Sequence, residues 1–399
     1  MRILLLAPQP FFQARGTPIA VRLVLEFLSS RGHQVDVLTY HEGSDVEIPN
    51  CRIVRIPRLP GVRNLRPGYS VKKVLCDVLM LVGCARMMQR TRYDLVHAVE
   101  ESAFIAAALR PFTGVPYVYD MDSSLAEQMI DSYPVLRLVG PVLRRCEAVA
   151  VRRSAGVLTV CAALQDIARR HAPSTPVGRV EDTTLLPPGN GGNGGNGGNG
   201  AKHLPPETEG APVAMYVGNL ERYQGIDLLL EGFRHTLDQM EQARLVIVGG
   251  HKDDIERYGR RASALGIGRA VHFLGPKPVS ELGDLLREAD VLVSPRLKGT
   301  NTPMKIYSYL DSGTAVLATR LRTHTQVLDD RTAYLVEPEP VALGTGLATL
   351  LKDDSLREGL AARAKDHVRR EFTPEAAARK LEAFYSTIEA RSSEATSRA

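Results

Sequence analysis

Arg296, Lys298 and Lys305 closely follow the apolar run Asp290-Val-Leu-Val-Ser294. That run is β-branched and bounded by charge and Pro295, the pattern of a buried parallel strand. Beyond it, Thr302 fits a helix N-cap and Pro303 the first helical position, where a missing N–H costs nothing. Lys305 then falls in the first turn, where a cation is disfavoured by roughly 0.3–1 kcal/mol because the helix start is already partly positive. An anion is expected beside it, and three cations with a helix start suit phosphate. The plainer alternative is a solvated Lys305 on a loop decorated by Arg296 and Lys298.

Two sheets are expected to carry such loops. A chain of 399 residues exceeds one ordinary core, and two domains of roughly 180 residues each are the natural division. In the first half the strand patterns Arg2–Ala7, Val35–Thr39, Cys51–Ile56, Leu95–Ala98, Tyr117–Tyr119 and Gly156–Val160 alternate with helical ones, beginning with Pro18–Ser30. This is the rhythm of a parallel sheet with helices on both faces. The Gly/Asn repeat Gly189–Gly200 has nothing to bury and reads as a disordered linker. Alternation restarts at Val213–Val217, Leu245–Val248 and Val271–Leu274, leading to the strand at 290–294.

The expected organisation is therefore an α/β chain: residues 1–186 one Rossmann-like domain, 187–211 a linker, 212–372 a second Rossmann-like domain. A final helix within 373–399 has no strand after it and is expected to pack back across the first domain. Ligands of doubly wound sheets bind beyond the carboxyl ends of the strands, so two such domains facing one another would form a ligand cleft.

Composition narrows the classes further. The 44% hydrophobic and 24% charged fractions are those of a soluble globular protein. Five cysteines without a CxxC or a Cys/His cluster indicate neither a zinc site nor a disulfide framework, and point to a reducing cytoplasm. The apolar core Ile3–Ala7 is interrupted by Pro8 and Pro10, so it reads as a first strand and not a leader. Val74–Met88, interrupted by Asp77 and Arg86, is too short to span a bilayer. Arg52, Arg55, Arg58, Arg63, Arg66, Lys72 and Lys73 occur with no acidic residue among them. With the apolar segment after them, residues 52–88 are expected either to meet an anionic membrane at its inner face or to form a solvated loop and a core helix.

Taken in order, several short pieces resemble glycosyltransferase family 4, the large retaining group of the GT-B fold. They are Arg15-Gly16, Arg31-Gly-His-Gln-Val-Asp-Val-Leu-Thr39, Tyr93-Asp-Leu-Val-His-Ala98, Tyr216-Val-Gly-Asn-Leu220 with Gly225-Ile-Asp-Leu228, and Tyr309-Leu-Asp-Ser-Gly313 followed by a strand. The resemblance covers nearly the whole chain. It implies a GT-B fold of two Rossmann-like domains, a nucleotide diphosphate sugar as donor on the second domain, and a hydroxyl acceptor on the first. It also implies transfer with retention and no metal or cofactor, the nucleotide sugar being a co-substrate. Envelope polysaccharide or glycolipid synthesis is its usual setting, with a saccharide or lipid-linked acceptor and no nucleic acid.

The resemblance also assigns residues. Gly16 and Thr17 fall near the diphosphate, and Gly250 lines the base region. Asp122 takes the place of a polar residue, often His, that faces the reacting sugar carbon. Asp120-Met-Asp122 only imitates the metal-binding DxD of another fold. His97, Glu100 and Glu101 fall on a neighbouring loop where the acceptor would bind. A capping role for Asp122 and structural roles for His97, Glu100 and Glu101 remain open alternatives.

Three departures stand out. The family's diphosphate-clamping Arg and Lys are here Asn219 and Gln224, and its two glutamates separated by seven residues are Thr300 and Ser308. Arg222, Arg296, Lys298 and Lys305 lie close by, so the expectation is a relocated clamp of Lys305 and Arg222 supported by Arg296, with Thr302 and Ser308 beside the donor. The competing readings are a non-catalytic GT-B protein that binds a nucleotide sugar or a partner, and a nucleotide-sugar epimerase.

Overall fold

The computed structural model describes residues 1–13, 16–63, 65, 70–187 and 203–397. Arg15, Arg66, Lys202 and the Gly/Asn repeat of the expected linker lie outside the described residues. Two compact units are formed, Met1–Glu181 with Pro374–Ala399, and Asp182–Thr373.

The first unit is built on seven parallel strands, β1 (Arg2–Ala7), β2 (Gln34–Thr39), β3 (Cys51–Arg55), β4 (Leu95–Val99), β5 (Tyr117–Met121), β6 (Gly156–Thr159) and β7 (Val177–Arg179). Their order is β3-β2-β1-β4-β5-β6-β7. The central strands read as unbroken apolar runs because both faces are covered: Ile3 to Ala7 are fully buried. One face carries α2 (Val71–Arg90), α3 (Ser102–Thr113), α5 (Gly140–Arg153) and α6 (Ala162–His171), which share one core. The short helix α4 (Leu125–Ser132) and a 3₁₀ turn, Pro134–Val139, precede α5.

The other face carries α1 (Gly16–Ser30) and the last helix of the chain, α14 (Pro374–Ser397). Gly156 and Gly178 permit that last packing. A Cβ on either would collide with Phe384, and on Gly156 with Ile388 as well, so the helix lies directly on β6 and β7.

The second unit has six parallel strands, β8 (Val213–Val217), β9 (Arg244–Val248), β10 (Val271–Gly275), β11 (Val291–Ser294), β12 (Ala315–Thr319) and β13 (Tyr334–Val336), ordered β10-β9-β8-β11-β12-β13. Its helices are α7 (Ile226–Leu237), α8 (Lys252–Ala264), α9 (Leu282–Arg287), α10 (Lys305–Asp311), α11 (Arg322–Thr325), α12 (Pro340–Lys352) and α13 (Asp354–Glu371). In each sheet the strand order reverses once beside the first strand, between β1 and β4 and between β8 and β11. Loops leaving those strands at their carboxyl ends diverge, which opens a crevice in which a ligand can sit.

The structure departs from the sequence expectation at one helix start and in two added strands. Helix α1 starts at Gly16, ahead of the expected Pro18, with φ +40°, so Thr17 lies inside the first turn. Strands β7 and β13 were not anticipated, each being only three residues long at a sheet edge.

Candidate functional site

Three loops meet at the switch point of the second sheet. Strand β8 runs into Gly218 and the 3₁₀ turn Arg222–Gln224, β9 into Gly249-Gly250, and β11 into the loop that leads to α10. Pro295 packs its carbonyl against Gly225, whose φ of +77° and missing Cβ make that approach possible. The Leu297 N–H donates to the Tyr223 carbonyl at 2.9 Å, tying the β11 loop to the β8 loop. From the other side the Thr319 hydroxyl donates to the Arg296 carbonyl at 2.6 Å and the Thr323 hydroxyl to the Asn301 carbonyl at 2.6 Å. The Gln326 amide donates to the Thr300 carbonyl at 3.0 Å. His324 underlies this scaffold, donating from Nδ1 to the Thr319 carbonyl at 2.8 Å and accepting at Nε2 from Ser294 at 2.9 Å. Burial pushes its pKa down to about 4, so it serves as a neutral strut.

On this scaffold Lys305 is the first residue of α10. Its Nζ is sealed from solvent, lies 3.8 Å from the centroid of the Tyr216 ring and has no hydrogen-bond acceptor. Burial first, and then the charge of Arg296, hold its ammonium well below the usual lysine range. Arg296 is itself 7% exposed and lies over the Tyr223 ring, with Nε on the Lys298 carbonyl at 2.6 Å and one terminal nitrogen on Asn301 Oδ1 at 3.4 Å. Two further buried atoms are left without partners, Thr302 Oγ1 and Gln224 Oε1. An ammonium, a hydroxyl and an amide oxygen left incomplete in one set of loops are what a polar ligand would complete.

Some sequence expectations are corrected here. Thr302 is not the N-cap and Pro303 is not the first helical residue; α10 begins at Lys305 behind Met304, with no side-chain cap. A short turn through Pro303 and Met304 intervenes, its carbonyls accepting from Ile306 and Tyr307. Ser308 is buried and its Oγ accepts the Leu185 N–H at 3.0 Å, so that oxygen is already engaged. Lys298 and Arg222 are exposed and make no ion pair among the described residues, Lys298 contributing its carbonyl to Arg296. Gly250, with φ +85°, packs against Leu220 just before α8. Tyr216 enters the sequence reading only as the head of a resemblance piece, and Tyr223 and His324 not at all, because an isolated aromatic or histidine among apolar residues carries no spacing signal.

The first sheet gathers carboxyl groups at the corresponding end. Glu100 follows β4 with φ +48°, donates its N–H to the Asp120 carbonyl at 2.8 Å and accepts from the Ser123 hydroxyl at 3.4 Å. Burial, and then the Glu101 charge, push its pKa up to about 7. Glu101 pairs with Lys73 of α2 at 2.6 Å, both side chains being 14% exposed. One turn further along α2, Asp77 accepts from the Tyr40 hydroxyl at 2.5 Å and is raised to about 6 by burial. Asp122 is 9% exposed, beside Ser123 and two residues before Ser124, the N-cap of α4. Gly16 and Thr17 open α1 after the β1 loop, Gly16 exposed and Thr17 half-buried.

His97 is not in this group. It has no exposure; Nε2 donates to Asp120 at 2.9 Å and Nδ1 accepts from the Tyr385 hydroxyl of α14 at 2.6 Å. Both ring nitrogens are taken, so the expected acceptor contact is replaced by a strut between β5 and α14. The same bond occupies Asp120.

Comparison with known proteins follows the two-sheet layout. Residues 15–189 match a glycosyl transferase 4-like domain, and residues 202–367 match the glycosyl transferases group 1 family. A D-inositol 3-phosphate glycosyltransferase of Corynebacterium diphtheriae is 32% identical over 180 residues, 43% of this chain and 42% of that protein. A phosphatidyl-myo-inositol mannosyltransferase of Mycobacterium tuberculosis is 26% identical over 93% of each chain. Among solved structures, a sucrose-phosphate synthase from Thermosynechococcus elongatus superposes with a TM-score of 0.78 over 98% of this chain and 99% of that one, at 20% identity. The protein has the GT-B fold and belongs to the group 1 glycosyltransferases, glycosyltransferase family 4.

Proposed function

We propose that this protein transfers a hexosyl group, with retention of configuration, from a nucleotide diphosphate sugar to a hydroxyl acceptor in envelope polysaccharide or glycolipid synthesis. The observation that carries this is the acceptorless Lys305 Nζ at the β8/β11 switch point beside Arg296. A diphosphate oxygen at Nζ would supply the missing acceptor and favour the ammonium form. Arg222, exposed in the adjoining turn, is the second cation of the clamp, and Thr302 and Gln224 can hydrogen-bond the donor.

In the reaction the bond between the anomeric carbon and the diphosphate oxygen breaks, and its electron pair goes to that oxygen. Preorganised cations stabilise the charge and can lower the barrier by roughly 3–4 kcal/mol. The departing phosphate takes the proton of the acceptor hydroxyl as the new glycosidic bond forms on the same face. The Asp122 carboxylate faces the positive charge developing on the sugar carbon. Glu100 and Glu101 hold the acceptor hydroxyls.

The engagement of Ser308 by Leu185, at a position where the family resemblance implies a glutamate, favours a second reading, a non-catalytic nucleotide-sugar binder. Incubation with a panel of nucleotide diphosphate sugars separates the readings. Slow release of free sugar supports transfer, binding without turnover supports the binder, and a changed sugar would instead indicate an epimerase.

A further inference from the structure

Gln224 closes the 3₁₀ turn after β8 and is 7% exposed, with Oε1 sealed from solvent and without a hydrogen-bond partner. Its backbone is held from two sides. Within the turn, the Gln224 N–H donates to the Glu221 carbonyl at 2.9 Å and the Gly225 N–H to the Arg222 carbonyl at 3.1 Å. From the β11 loop, the Leu297 N–H reaches the Tyr223 carbonyl and the Pro295 carbonyl packs on Gly225. A side chain rooted in so fixed a turn has little freedom to carry its oxygen to water, and a buried acceptor left unmade is costly.

The neighbouring cations do not complete it. Lys305 Nζ has no acceptor of its own, so the ammonium and the amide oxygen do not meet. Arg296 directs Nε to the Lys298 carbonyl and one terminal nitrogen to Asn301 Oδ1. The two unfinished groups have opposite needs: Lys305 requires an acceptor and Gln224 requires a hydrogen. The oxygens of a sugar-linked diphosphate carry no hydrogen at neutral pH, so they can complete Lys305 and cannot complete Gln224.

Donor hydroxyls are the groups left to be recognised. The family resemblance implies two glutamates on them, at positions that are Thr300 and Ser308 here. Ser308 Oγ accepts from Leu185, and the Thr300 carbonyl accepts from Gln326. Where the resemblance implies the phosphate-clamping lysine, this chain has Gln224, so an acceptor stands in place of a cation. We infer that Gln224 is a specificity-determining residue that accepts a hydroxyl hydrogen of the bound nucleotide sugar, while Lys305 holds the diphosphate. The inference rests on the donor-site reading and divides that site into two separable parts, charge at Lys305 and hydroxyl recognition at Gln224. Thr302 Oγ1, 3% exposed and also without a partner, can donate or accept and so suits either part.

The test is calorimetry of the full chain with inorganic pyrophosphate, with uridine, guanosine and adenosine diphosphates and their dideoxyribose forms, and with the matching nucleotide hexoses. The readout is the ratio of nucleotide to pyrophosphate affinity, because a disturbed turn would weaken both ligands alike. Gln224→Leu should lower that ratio about tenfold, whereas Gln224→Glu keeps an acceptor and should hold it at or above the wild-type value. Lys305→Met should weaken both ligands. Thermal unfolding of each variant checks that the fold is kept. A Gln224→Leu loss that vanishes with the dideoxyribose forms assigns the hydroxyl to the ribose; a loss confined to the nucleotide hexoses assigns it to the hexose. A loss equal for ribose and dideoxyribose nucleotides would put a base N–H on Oε1 and overturns the inference. So does a ratio unmoved by Gln224→Leu, or one lowered as much by Gln224→Glu; either result leaves the donor site at Lys305 standing. Failure of the wild type to bind any nucleotide sinks the donor-site reading, and the inference with it.

Discussion

The Nζ of Lys305 lies 3.8 Å from the centroid of the Tyr216 ring, with no oxygen to accept its protons. The ring face favours the ammonium by about 0.5–2 kcal/mol, but burial and Arg296 oppose it more strongly. The site is strained until an anion arrives. Lys305→Met, of similar length, should therefore stabilise the ligand-free protein by about 1–3 kcal/mol. The sign with pH follows from the lowered pKa: the folded state binds fewer protons than the unfolded chain, so the penalty is full below the folded pKa. It fades as pH rises toward the ordinary lysine value of about 10.4. Urea unfolding of both proteins across pH measures this. The same variant should bind nucleotide diphosphates at least about tenfold more weakly by calorimetry. Equal affinity for both proteins would remove Lys305 from the donor site.

Gly225 offers a test of the scaffold rather than the charge. Its φ of +77° strains any L side chain, and a Cβ would collide with the Pro295 carbonyl. Gly225→Ala is expected to cost about 2–4 kcal/mol and to push the β11 loop away from the β8 loop. Because Arg296 rides on that loop, donor affinity should fall with stability. A variant that loses stability yet binds nucleotide normally would show that the two loops act independently.

Much of this fold was legible because parallel strands buried on both faces leave continuous apolar runs. Arg2–Ala7 and Val213–Val217 are strands with the very ends their sequences indicate. Edge strands Val177–Arg179 and Tyr334–Val336 were not legible, since three residues carry no periodicity. In the site, Lys305 could be found from its cationic neighbours and the strand before it. The Thr302-Pro303 pair misled about the helix start, because a proline is as well suited to the turn observed there as to a first helical position. Tyr216 and His324 owe their roles to partners far away in sequence, Tyr216 beneath Lys305 and His324 on Ser294, and no local pattern carries that information.

Tyr385 reaches from α14 to His97, and its removal tests whether the histidine is a strut. Tyr385→Phe leaves Nδ1 without its donor at a site with no solvent, at a cost of about 1–2 kcal/mol. Chemical denaturation should register that loss. If the transferase reading holds, the acceptor KM should stay at the wild-type value, because His97 has no exposure and cannot touch an acceptor. A raised acceptor KM at unchanged stability would reverse this assignment.

Glu100 makes the last prediction one of pH. Its carboxyl is raised from 4.5 to about 7 by burial and by Glu101, so the folded protein holds a proton that the unfolded chain has released. Stability is thus undiminished below about pH 4.5 and declines as pH rises to about 7, where the full penalty applies. Glu100→Gln removes the ionisation and keeps an acceptor for Ser123. It should match wild type in acid and exceed it by about 1–2 kcal/mol at neutral to alkaline pH, a figure reduced from the full shift because the side chain is not completely shielded. Denaturation midpoints across that range measure the difference. Parallel curves for the two proteins would mean that Glu100 titrates as an ordinary carboxylate, and that the charge of this end of the sheet is fixed by Asp77 and Glu101 instead.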